Sequence, residues 1–170
     1  QRQYYDQIND MDFDEVHNRV WFTGEFRKSI HHNSGGLNGV TNDAFVGAFD
    51  GTNGNSIPAS WRASKCHSLG KMAGTGVSID AVTGIPYFTG SYKSSDISNP
   101  FNLVSDGLTT DNLLGNGDFH RAYFIKVDID NSNTSWAAYS IGAGFQQADV
   151  YGIGIGVKAN KVYFCGDTYN

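Results

Sequence analysis

The residues with the most obvious chemical potential are four histidines, His31, His32, His67 and His120. They fall in stretches rich in Gly, Asn and Ser that read as loops, and together they mark a candidate ligand-binding face. A zinc or copper site needs three or four nitrogen or sulfur ligands converging on one ion. The intervals here follow no compact metal motif, so solvated loop residues are the ordinary reading and no metal is expected. Asp128-Ile129-Asp130-Asn131-Ser132-Asn133-Thr134 alternates oxygen ligands as calcium loops do. It lacks the closing Glu and central Gly of an EF-hand, which leaves Asp128 and Asp130 better read as hairpin-turn residues.

Nucleophilic catalysis requires Ser or Cys beside a His that a carboxylate orients. No G-x-S-x-G elbow occurs, and nothing pairs Asp106, Asp111 and Asp118 as a glycosidase would need. Trp21, Trp61 and Trp136 have rings suited to stacking on sugars, although Trp61 and Trp136 read better as core. Cys66 and Cys165 fall in different units of the chain, so a bridge between them is not expected. Cys165 reads instead as a small packing residue. Asn133-Thr134-Ser135 is the one N-glycosylation sequon, and Asn133 would carry the glycan if the protein is secreted.

These residues must be held by something, and composition says what. The 170 residues include 11 Phe, 9 Tyr and 3 Trp, with 21 Gly and only 3 Pro. That mixture suits a domain-sized aromatic core with many tight turns rather than long helices. A net charge of −5 argues against nucleic acid. No apolar run approaches the roughly 20 residues of a membrane helix. Without a signal peptide, the chain is expected to be mature, a fragment, or cytosolic.

The organising feature is a repeat. Val20-Trp21-Phe22-Thr23-Gly24-Glu25-Phe26 returns as Pro86-Tyr87-Phe88-Thr89-Gly90-Ser91-Tyr92, and again as Val162-Tyr163-Phe164-Cys165-Gly166-Asp167-Thr168. Each copy follows an alternating run: Met11-Asp12-Phe13-Asp14, Val77-Ser78-Ile79-Asp80 and Ile155-Gly156-Val157-Lys158. Two alternating runs joined by a polar turn read as a hairpin. Ala44-Phe45 and Ala122-Tyr123 open a third strand in the first two units, and Trp61 and Trp136 introduce a fourth. The spacing predicts ten strands, with long loops over Arg27–Asn42 and Lys93–Arg121 and a single turn of helix near Asp111-Asn112-Leu113-Leu114.

Gly76-Val77-Ser78-Ile79-Asp80 with Pro86-Tyr87-Phe88-Thr89-Gly90-Ser91-Tyr92, and Ala44-Phe45-Val46-Gly47-Ala48-Phe49-Asp50 with its Asn-Gly turn and Trp61, resemble the secreted β-propeller repeats called SBBP repeats. The resemblance spans nearly the whole chain and departs at the long loops and at Cys165, where the other copies have Thr. It implies an all-β fold of tandem four-stranded antiparallel blades: one over 7–66, a second over 74–141, and part of a third over 152–170. It implies no reaction. The expected function is a non-catalytic extracellular or cell-surface module, structural or adhesive, without cofactor. A carbohydrate-binding propeller using the long loops is the alternative, and a hydrolase is the third reading. About two and a half blades cannot close a ring. Further polypeptide, or self-association into a larger assembly or filament, is therefore expected to complete the stack, and an isolated compact monomer is not.

Overall fold

A computed structural model describes residues 6–32, 35–65, 72–93, 101–105, 108–113, 120–127, 129, 137–141, 149–159 and 161–169. It is all-β, with twelve strands, one 3-10 turn at Pro58–Ser60 and no α-helix among the described residues. The strands form three antiparallel sheets. The first contains β1 (Gln7–Asp14), β2 (Arg19–His32), β3 (Gly35–Asp50) and β4 (Arg62–Lys65) in that order. The second contains β5 (Met72–Ile79), β6 (Pro86–Lys93), β9 (His120–Lys126) and β10 (Ala137–Ile141). The third is a hairpin of β11 (Asp149–Lys158) and β12 (Lys161–Tyr169).

The two long loops are where the structure departs from expectation. Arg27–Asn42 is β-hairpin through most of its length: β2 continues to His32 and pairs with β3, with His31 opposite Gly36 and Ile30 opposite Leu37. Lys93–Arg121 contains a second hairpin, β7 (Phe101–Ser105) with β8 (Leu108–Leu113). β8 occupies the stretch read as a helical turn. This hairpin leaves its own sheet and pairs with β4 of the first, Ala63 opposite Val104, making that sheet six-stranded. Alternation of polar and apolar residues is weak in both segments, so side-chain pattern does not reveal them. Backbone pairing needs only an available edge.

Local chemistry accounts for the hairpin turns. Asp14, Asp50 and Asp80 each accept backbone N–H groups two or three residues on: Val16 and His17, Thr52, and Val82 and Thr83. Four residues after each Asp the chain enters left-handed backbone, at Asn18 (φ 54°), Gly54 (φ 70°) and Gly84 (φ 68°). Asn and Gly are the residues that tolerate that conformation at least cost.

The same irregularity opens every sheet. The pairing slips by one residue between Ile8 and Asp10, between Gly74 and Gly76, and between Gly152 and Gly154. Asn9, Thr75 and Ile153 are thus bulged residues in equivalent places, and bulges increase local twist. Opposite them stand Gly24, Gly90 and Gly166, where the facing carbonyls of Gln7, Ala73 and Tyr151 approach too closely for any Cβ.

Two apolar clusters make the core. The larger joins the first sheet (Trp21, Ala44, Val46, Ala48) to the second (Val77, Ile79, Phe88, Tyr92, Tyr123, Ile125). Trp21 meets Phe88 edge-on at 5.9 Å. The smaller cluster, Phe22, Phe26, Phe45 and Trp61, lies within the first sheet. Trp61 stacks nearly parallel on Phe45, 9° between planes. Ser60 seats it, accepting from Ala48 N and donating to Ile57 O, both at 2.7 Å.

Candidate functional site

Of the histidines expected on one face, His31 and His120 stand on strands of different sheets. His31 is exposed near the tip of the β2–β3 hairpin, with the His32 backbone opposite Gly35 beside it. His120 opens β9 opposite Lys93, and its ring stacks on Tyr151 at 4.7 Å instead of standing free in a loop. His67 lies outside the described residues, as do Asp128, Asp130, Asn133, Cys66 and Trp136. Among the described residues no group of three or more His, Cys, Asp or Glu is placed to hold a metal. Replacing His31 by Ala is expected to change the free energy of unfolding measured in urea by less than about 0.5 kcal/mol, as at other exposed positions.

Trp21 is not available to stack on a sugar, since it is fully buried between sheets. Trp61 is likewise core. Cys165 is free and exposed rather than packed, with its thiol 3.6 Å from Gly154 O.

What the geometry does assemble is a repeated junction between the first strands of consecutive sheets. Asn9 Nδ2 donates to Gly74 O at 2.8 Å, and Thr75 Oγ1 donates to Gly152 O at 2.6 Å. These are two of the three bulged residues, each reaching the residue just before the bulge of the next sheet. Asp12 Oδ2 accepts from Ile79 N at 3.0 Å, and Ser78 Oγ accepts from Val157 N at 3.1 Å, again in equivalent positions. Asp10 Oδ2 adds a bond from Val77 N at 2.9 Å. Edge amides that would otherwise lie unpaired at the junction thereby gain acceptors, each net bond contributing about 1 kcal/mol. In β1, the equivalent amides of Met11 and Phe13 are met by the chain's own Asp10 and Asp12.

A cleft of about 210 Å³ opens beside this junction, lined by Asp12, Phe13, Asp14, Glu15, Val16, Ile79, Asp80 and Ala81. Its Asp12, Asp14 and Asp80 carboxylates already accept backbone N–H groups. Asp14 also holds His17 Nδ1 at 2.8 Å, a pair that closes the first turn. Sequence reading passed over this pair; an Asp followed three residues later by His inside a turn is the pattern that would have marked it.

Between the first two sheets, Tyr123 is buried, with its hydroxyl 3.4 Å from Ala73 O. Burial pushes its phenol well above the ordinary value of 10.0. The folded state therefore holds this proton more tightly than the unfolded chain does. That stabilisation is complete below the unfolded-state value and declines as pH rises above it. Urea midpoints are expected to fall above about pH 10, and to fall less in Tyr123→Phe.

No family model, curated protein or solved structure matches this chain.

Proposed function

We propose that this protein is a non-catalytic structural or adhesive module built from β-propeller-type repeats, acting outside the cell or at its surface. The observation that carries this reading is the junction just described. One pair of side-chain contacts, bulge residue to carbonyl and mid-strand acceptor to amide, recurs in register from the first sheet to the second and from the second to the third. A unit that repeats its docking contacts is built to be stacked, and each repeat buries an apolar face it cannot cover alone. The resemblance to secreted β-propeller repeats supports the same reading and the extracellular setting. Asp12, Asp14 and Asp80 at the cleft are engaged in holding backbone, which favours scaffold over catalysis.

A glycan array tests this directly. No reproducible binding is expected from the intact chain. Binding that disappears when Lys93–Arg121 is shortened would overturn the structural reading in favour of a carbohydrate-binding module.

A further inference from the structure

The insertion between β6 and β9 leaves the second sheet and returns to it at one point. Lys93 pairs directly with His120, so residues 94–119 interrupt nothing in the β6–β9 ladder. Within the insertion, β7 and β8 pair with each other from Phe101↔Leu113 to Ser105↔Leu108. Asp106-Gly107 stands between the last pair in sequence, and Asp-Gly is a strong local signal for a tight hairpin turn. The hairpin therefore carries the means of its own closure.

Its main-chain partner belongs to the other sheet. β7 pairs with β4 through Ala63↔Val104, Ser64↔Leu103 and Lys65↔Asn102. On its far side β8 comes within 8 Å of β10, Cα to Cα, and β10 is the outermost strand of the second sheet. The hairpin thus stands between the outer strands of two consecutive sheets, bonded to one and abutting the other. The first insertion behaves differently, since it only lengthens the β2–β3 hairpin within its own sheet.

Contacts on the inner side form a separate set. β1, β2 and β3 each approach β5, and Val77 N and Ile79 N donate across to Asp10 Oδ2 and Asp12 Oδ2. The first two sheets are therefore joined at two places, by side chains along β5 and by a main-chain ladder at β4. A ladder of three residue pairs also closes the β4 edge, which would otherwise be a template for unwanted strand pairing.

We propose that the β7–β8 hairpin is a clasp, supplied by the second sheet's insertion, that fastens the outer edge of the first sheet and holds the two sheets at a fixed setting. Its anchor and its receiver are both described strands of this chain, and the proposal holds whether or not the repeat module binds a glycan.

The test replaces residues 94–119 by Asn-Gly, a two-residue turn suited to the directly opposed Lys93 and His120. Hydrogen exchange is then compared with the intact chain, amide by amide. Exchange at Val77 and Ile79, whose amides bond across the sheets, should quicken roughly tenfold or more as the inner junction begins to open locally. Amides of β6 and β9 should change by less than about threefold, because their ladder is untouched. A second variant, with 101–113 replaced by Gly and Ser at the same length, guards against a strained joint and should behave alike. Unchanged exchange at Val77 and Ile79 would mean that the hairpin only covers an edge, and would overturn the proposal. Loss of protection throughout the second sheet, or failure of both variants to fold, would place the hairpin in the core of the domain and overturn it too. Glycan binding that disappears in the same variants would refute the structural-module reading without altering these exchange results.

Discussion

Replacing Phe88 by Ala is expected to destabilise the protein by about 3–5 kcal/mol, the cost of emptying a ring-sized volume in a packed core. Phe88 is fully buried, and its ring sits where the first two sheets meet, edge-on to Trp21. The loss therefore has two parts. Apolar surface returns to water, and Trp21 loses the contact that holds its orientation between the sheets. The first and second sheets are tied mainly by this cluster and by the Asn9, Asp10 and Asp12 hydrogen bonds, so relaxation around the cavity is limited. Urea denaturation of Phe88→Ala beside His31→Ala checks the assignment. Similar losses in the two variants would mean that strand core and hairpin tip have been confused.

Gly90→Ala is expected to cost about 3 kcal/mol or more, above the usual range for overpacking because the obstacle is backbone. A Cβ there would fall on the Ala73 carbonyl across the bulge and 2.7 Å from Tyr123 Cζ. The carbonyl cannot swing away without breaking the β5–β6 pairing that carries the bulge. Gly156→Ala is the control on the same kind of strand, since a Cβ there meets nothing within 4 Å. Its backbone is not left-handed. Restricting the unfolded chain should then leave stability unchanged or raise it by roughly 0.4–1 kcal/mol. Thermal unfolding of the two variants separates the cases, and a loss in Gly156→Ala matching that in Gly90→Ala would remove close approach as the reason for glycine at this repeat position.

Much of the architecture was legible in the chain alone. The threefold recurrence of an aromatic strand after an alternating run located six strands in the three opening hairpins, because a two-residue period assigns side chains to faces without reference to anything distant. Turn chemistry was equally local: an Asp followed four residues later by Asn or Gly closes its own hairpin. What covers a face, and which edge a strand finds, are not local. Trp21 and Tyr163 occupy the same repeat position, yet one is buried and the other exposed, since the second sheet lies over the Trp21 face of the first and nothing among the described residues lies over the Tyr163 face of the third. The β7–β8 hairpin joins β4 through backbone groups that every residue possesses, so its partner left no mark in side-chain pattern. The four histidines shared loop-like composition, but His31 and His120 belong to strands of different sheets, and proximity between sheets is set by topology. Sequence determined the repeat and the faces of its strands; tertiary packing alone decided the inter-sheet junction, because its hydrogen bonds join polar side chains to backbone groups some 65 or more residues away.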